Sequence, residues 1–477
     1  MESCGGTILY KQNMKRRSQL TAAVLCGALM LGCSSGCGTK ETASDETVVS
    51  VAGFFSDESV MPEVYERQRK QADEFEKLHP GVKIEQSDFS FDSQSFLAKA
   101  EGGTLPTLYY VPLTEANAVL DMGYGADVTD EFKKRGMIDN ANTFILENIS
   151  RNGKVYLIPS SMYDVGLIVN TDLYQKAGFI DADGTLYQPT DWEDLARVAQ
   201  KIKETTGADG FILPTMNNTG GWRFMPIAWS YGTTFEEKDG DQWKATFDSQ
   251  ECINAMQYIS DLKWKYDVLP KNTQVDLAEV EKQFAAGNVG MIMGEASVIG
   301  RILATYDFDK NIIGMLSLPA GPKRHVTLMG GDYRVISKDA TKEQITAAMD
   351  FLEYIGITAK LTEEMKVSMR ETYEQNQLKN NLIGLKSLSP WKDDCEVNAY
   401  KLSLDQEFIN VDPKHLELYN HKDGIEFQAE EPIDAQALYA ILDSVIQEVM
   451  NNQNADISGL LKKACEDFQK NNLDYAE

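Results

Sequence analysis

The sequence predicts an α/β protein whose parallel-rich sheets are flanked by helices, and three observations carry that expectation. Short β-branched runs alternate along the chain with amphipathic stretches of helical period. No repeat of about 20 to 50 residues is present, which excludes solenoids and propellers. The 477 residues, 43% hydrophobic and 25% charged, have ordinary globular composition and suffice for two or three domains.

The first element is an address rather than a domain. Lys15, Arg16 and Arg17 precede the apolar stretch Leu20 to Leu31, which is shorter than the ~20 residues of a bilayer crossing and has the charge order of an export signal. Met14 opens this pattern and is an alternative start to Met1. The stretch closes on Met30-Leu31-Gly32-Cys33, and Ser34 to Glu46 reads as a polar tether. Gly32-Cys33-Ser34-Ser35-Gly36 fits the hydrolase pattern G-x-S-x-G but lacks the strand before it and the helix after it that this chemistry needs.

Val48 to Ala52 reads as the first strand. Pro62 suits the first turn of a helix that runs to Leu78 with apolar positions at Val64, Ala72, Phe75 and Leu78. His79-Pro80-Gly81 stops it, and Val82 to Glu85 alternates as a second strand, parallel to the first. Thr190 with Glu193 reads as a capping box ahead of Trp192, Leu195, Ala199 and Ile202. Asp248 with Glu251 does the same ahead of Cys252, Met256, Ile259 and Leu262. Val280 and Phe284 end a helix at Gly287, and Val289 to Met293 is a compact buried strand. Leu438 to Val449 and Leu460 to Phe468 read as closing amphipathic helices.

Composition excludes several functions. Lys plus Arg number 46 against 73 Asp plus Glu, a net charge of −27. No basic run follows the N-terminus, so neither nucleic acid nor an anionic membrane is the main partner. Of seven cysteines, Cys4, Cys26, Cys33 and Cys37 crowd the start; Cys252, Cys395 and Cys465 offer neither a disulfide framework nor a paired zinc motif and are expected to be buried or free. The only histidines are His79, His325, His415 and His421, with no H-E-x-x-H and no phosphate loop, so no metal and no cofactor is expected. Asp181-Ala182-Asp183-Gly184 lacks the spacing and closing Glu of a calcium loop and reads as a turn.

The order of segments carries a resemblance. Met30 to Cys33 is followed by Phe75 to Ile84, then Tyr156 to Pro159 leading to Gly166 to Tyr174, Pro189 to Leu195, Ala245 to Ser249, Phe284 to Gly287, Leu318 to Pro322 and Gly330-Gly331. Together these resemble the extracellular solute-binding proteins of ABC importers, of the carbohydrate type that includes maltose-binding protein. The likeness covers nearly the whole mature chain and is weakest over Lys360 to Gln428.

It implies a two-lobed periplasmic-binding-protein-like fold with a hinge. Residues 1–32 would be the signal peptide and 33–46 a lipidated N-terminus and linker, with Cys33 acylated and Cys37 a second candidate. Residues 47–162 plus 319–365 would form lobe 1, and 163–318 plus 366–477 lobe 2, with crossings near Pro159 to Gly166 and Leu318 to Pro322. The resemblance further implies a monomer and not an enzyme. It would sit on the outer face of a bacterial cell membrane through its lipid anchor alone, bind a small carbohydrate, and dock on ABC permease transmembrane subunits.

A pyranose has apolar C–H faces and a rim of hydroxyls, so its site needs aromatic plates with directional donors and acceptors. Trp222, in what reads as a glycine-flanked loop after Phe211 to Pro214, is the first choice for a plate; plugging the lobe surface is its alternative role. Trp229 and Tyr231 follow on a helix where at least one packs in the core. Tyr163 lies beside Asp164 in the expected hinge, where members of the family commonly present an aromatic to the ligand. Asp332 and Tyr333 follow Gly330-Gly331, which permits close backbone approach. Glu295 follows the strand at Val289 to Met293, while Asp92, Tyr110 and Phe55 follow strands of the first lobe. For the acidic members a solvated surface position is the competing reading. Two other functions stay open on sequence alone: a glycoside hydrolase, which needs only two carboxylates ~5 to 10 Å apart, and a structural or adhesive surface lipoprotein.

Overall fold

The computed structural model describes residues 46–475 apart from Asp241 and Asp423. The export signal, Cys33 and Cys37 lie outside the described residues. The strands of the two main sheets are β1 (Thr47–Ala52), β2 (Val82–Ser87), β3 (Leu108–Pro112), β4 (Leu157–Asp164), β5 (Gly166–Asn170), β6 (Asp209–Ile212), β7 (Val289–Gly294), β8 (Ile313–Leu316), β9 (Val326–Ile336) and β10 (Glu426–Gln428).

The first sheet has the order β10-β9-β3-β1-β2, with β4 on the other side of β9. β1 runs parallel to β2 and β3, and β9 antiparallel to β3 and β4. The second has the order β8-β5-β7-β6. Here β7 is parallel to β6, while β5, entering directly from β4, opposes both neighbours. Its strands are apolar at almost every position because both faces are covered. Leu167, Val169, Met291 and Met293 join one core, and Ile168, Ile292, Ile313 and Met315 another on the opposite face.

The helices that matter are α1 (Pro62–Leu78), α2 (Trp192–Thr206), α3 (Thr219–Tyr231), α4 (Gln250–Trp264), α5 (Lys342–Tyr354), α6 (Glu363–Leu378), α7 (Glu396–Phe408), α8 (Ala435–Asn451) and α9 (Ile457–Asn471). α1 begins at Pro62, buries Ala72 and Phe75, and joins parallel β1 and β2 as the pattern of the sequence implies. Two caps differ from expectation by one residue. Asp191, not Thr190, caps α2, its Oδ1 accepting from Asp194 N at 2.7 Å, while Asp194 Oδ2 reaches back to Thr190 N at 3.0 Å. Ser249, not Asp248, caps α4 by accepting from Cys252 N. Asp and Ser are both among the preferred capping residues. Cys252, Cys395 and Cys465 are free and buried. Among the described residues no helix is long and apolar enough to cross a membrane.

The chain passes back and forth between the two halves. β4 belongs to the first core through Leu157, Ile158 and Met162, and Val165 opens the second. The return falls at Leu328–Met329 within β9: Leu328 lies in the second core and Met329 in the first. Leu318 to Pro322, where the return was expected, stays on the second half, with Leu318 in its core and Ala320 N donating to Thr190 O. The last passage runs from β10, whose Phe427 packs on the first core, into α8 in the second. Residues 366–477, assigned whole to lobe 2 by sequence, divide: Trp391 and Cys395 pack in the first core, Val411, Leu416 and Tyr419 on the outer face of the second sheet, and α8 and α9 on its inner face. Apolar periodicity says that a residue is buried; it does not say against which sheet.

This stretch also clasps the first passage. Asn142 Nδ2 donates to the carbonyls of Ser389 and Trp391 on the first half. Further on, the Tyr419 hydroxyl and Lys422 Nζ both donate to Asp164 Oδ1, at 3.0 and 2.6 Å, where the Asp164 side chain is only 3% exposed.

Candidate functional site

The passage strands fix the centre of the site. In the β4–β9 ladder Tyr163 stands opposite Gly330, and Ser161 opposite Asp332. A Cβ at Gly330 would lie 2.2 Å from the Tyr163 ring, so the ring rests against a strand that only glycine can provide. At Gly331 a positive φ of 152° and the Ser161 carbonyl, 2.1 Å from any added Cβ, impose the same choice. Asp332 follows at a bulge; its Oδ2 accepts from Ser161 Oγ at 3.1 Å. Tyr163 and Asp332, two residues from each other's partners, thus share one face of the pair.

The second half contributes the start of α3. Gly220-Gly221-Trp222-Arg223 is helical rather than a loop, a correction with a packing cause. A side chain at Gly221 would strike the backbone of Tyr439 on α8, and one at Gly220 would meet Asp443 and the Pro214 carbonyl. Glycine therefore serves close helix approach here instead of breaking the helix. The buried Asp443 carboxylate caps this end from outside, accepting from Asn218 N at 2.8 Å and Gly221 N at 2.6 Å.

From that platform Trp222, partly buried, donates its indole Nε1–H to Glu430 Oε1 at 2.9 Å. Arg223 is 2% exposed, bonds through Nε to the Met293 carbonyl at 3.0 Å, and holds its guanidinium carbon 5.1 Å from the Trp222 ring centroid. Its Nη2 is 4.0 Å from Glu295 Oε2. Glu295 stands just past β7 at the start of the next helix, its other oxygen accepting from Ser297 Oγ at 2.8 Å.

Electrostatics tie these groups together. Burial pushes the Tyr163 hydroxyl well above its usual range, and the charges of Glu430, Glu295 and Asp332 push it further, against a smaller opposing effect of Arg223. Burial also raises Glu430, offset by its bonds from Trp222 and Tyr439. Just behind, burial raises Glu431 to about 7 against the bond from Trp229. Glu236 is raised to about 9 by burial and then by the Glu431 charge.

The structure therefore gathers Tyr163, Asp332, Trp222 and Glu295 at the passages. Two other candidates lie buried. Trp229 is fully buried and spends its indole N–H on Glu431 at 2.9 Å; Tyr333, 1% exposed, lies in the first core. Tyr110 borders the site: its ring packs on Gly53 and lies 5.9 Å from the guanidinium of Arg334, which bonds to the Ala52 and Gly53 carbonyls. Phe55 and Asp92 make their contacts elsewhere in the first half, Phe55 with Phe54 and Arg69, and Asp92 as the cap of the helix Ser93–Glu101. Arg223, Glu430 and Tyr439 escaped sequence reasoning. Arg223 was adjacent to a chosen residue; Glu430 and Tyr439 follow the least matched stretch and carry no local signal.

Two mixed sheets joined by crossing strands, with aromatic and carboxylate side chains at the joint, are the frame of a two-lobed binding protein. Residues 59–356 match the bacterial extracellular solute-binding protein family, and the chain belongs to it. Solved structures share the fold over most of both chains. The cyclic alpha-maltosyl-1,6-maltose binding protein of Arthrobacter globiformis is 19% identical, with a TM-score of 0.62 over 88% of this chain and 97% of that one. The GacH receptor of Streptomyces glaucescens, solved unliganded and with acarbose, is 16% identical, with a TM-score of 0.60 over 91% and 100%. UgpB from Mycobacterium tuberculosis, solved with glycerophosphocholine, is 15% identical, with a TM-score of 0.61 over 89% and 98%.

Proposed function

We propose that this protein captures a carbohydrate, a mono- or oligosaccharide, between its lobes and delivers it unaltered to the permease subunits of an ABC importer. The observation that carries the reading is the composition of the joint: an anchored indole and a tyrosine ring beside Asp332, Glu295 and Glu430. Aromatic faces suit the apolar C–H surface of a pyranose, and carboxylates accept from its hydroxyls. The family supports solute capture, and several structures of the same fold hold oligosaccharides.

In this reading the passages at Asp164–Val165 and Leu328–Met329 form the hinge, and sugar adds contacts available only to the closed arrangement. The proposal extends to the N-terminus, with Cys33 acylated and the protein held on the outer face of the membrane. A melting-temperature screen against a sugar panel tests capture, because a ligand bound only by the folded state adds RT ln(1 + [L]/Kd), about 2.7 kcal/mol at a hundredfold excess over Kd. The expected result is a rise for one sugar class with the sugar recovered intact. Cleaved sugar would instead favour a hydrolase, and no rise for any sugar would end the proposal.

A further inference from the structure

The segment leading from β10 into α8 lies beyond the residues matched by the family, yet its Glu430 reaches the site twice. Trp222 Nε1 donates to Glu430 Oε1 at 2.9 Å, and the Tyr439 hydroxyl donates to Oε2 at 2.7 Å. Each oxygen of Glu430 has its own partner, so the ionised carboxylate is hydrogen-bonded at both oxygens. The indole is thus fixed at its polar edge by Glu430 while Arg223 stands over its ring. Neither donor to Glu430 is charged, and among the described residues no lysine or arginine forms an ion pair with it. Arg223, the cation over the Trp222 ring, bonds to the Met293 and Thr219 carbonyls and faces Glu295, not Glu430.

We propose that Glu430 is a positioning and specificity residue: it sets the plane of Trp222 for stacking, and its uncompensated charge makes the cleft take neutral or amine-bearing polyhydroxyl solutes and reject acidic ones. This rests on the carbohydrate reading above. Asp332 adds to the same field from the strand beside Tyr163, with Arg334, itself bonded to the Ala52 and Gly53 carbonyls, as the cation that interacts with it. Like charge inside a partly desolvated cleft is screened less than on the surface, so a carboxylate or phosphate on the solute is penalised there.

Titration calorimetry on the full chain, using maltotriose, the glucosamine trimer and the galacturonic acid trimer, tests this with Glu430→Gln and Glu430→Leu. The native protein is expected to bind the neutral or basic trimer at least about tenfold more tightly than the acidic one. Glu430→Gln removes the charge and keeps an acceptor for Trp222, so the ratio of maltotriose to acidic-trimer affinity should fall about tenfold. Glu430→Leu removes acceptor and charge; it should also lower maltotriose affinity and shift the tryptophan fluorescence maximum. An unchanged ratio in Glu430→Gln, or equal binding of all three trimers by the native protein, overturns the charge selection alone. Binding of none of them overturns this inference, and silence across the whole sugar panel as well overturns the carbohydrate reading.

Discussion

Trp222 and Trp229 stand seven residues apart, so they lie on nearly one stripe of α3 and look alike in sequence. Their indole nitrogens even reach consecutive residues, Glu430 and Glu431. What separates them is depth along the helix: Trp229 is sealed inside the second half, and Trp222 emerges at the end nearest the passages. Replacing Trp222 with Ala is expected to weaken sugar binding by about tenfold or more, measured by calorimetry. The stability loss should stay below the roughly 3–5 kcal/mol of a fully buried aromatic truncation. Behind them, Glu236 and Glu431 give a pH signature. Both folded values are raised, Glu236 to about 9 and Glu431 to about 7, so the folded state holds protons that the unfolded chain releases. Their contribution to stability is therefore complete below the ordinary carboxylate range and is lost as pH climbs through 7 and 9. Glu236→Gln should flatten that decline, seen as a smaller fall in melting temperature between acid and alkaline buffers than in the native protein.

Among the elements, those with a single solution were legible. α1 is framed by Pro62 and His79-Pro80-Gly81, and its strands on either side have nowhere else to go. The start of α3 was misread as a loop because Gly220-Gly221 is ordinarily a breaker. Its helical state depends on partners more than 200 positions later, Tyr439 and Asp443, which no local pattern announces. Asp443→Ala would leave the amides of Asn218 and Gly221 buried without that acceptor. The expected cost is about 1–3 kcal/mol in the denaturant midpoint, with weakened ligand affinity because Trp222 rides on the same turn.

For the whole molecule, the alternation of elements and the sequence resemblance were enough for the architecture and for Tyr163 and Asp332 at its joint. The course of residues 360–428 was not legible, because its apolar residues divide among three cores and only the folded chain assigns them. That stretch supplies Lys422, whose ammonium joins Tyr419 on Asp164 at the first passage. Lys422→Met should strand part of a buried carboxylate. We expect a loss of about 3 kcal/mol, the low end for such pairs because Tyr419 remains, read as a lower urea midpoint at unchanged slope.

The sequence distance spanned by one core bears on how fast it can form. The second half opens at Val165, yet Leu438, Tyr439, Leu442, Val449, Leu461 and Phe468, from the last two long helices, fill its interior. That interior therefore waits on contacts more than 270 positions apart, the long loop closures that slow a chain's search for its native state.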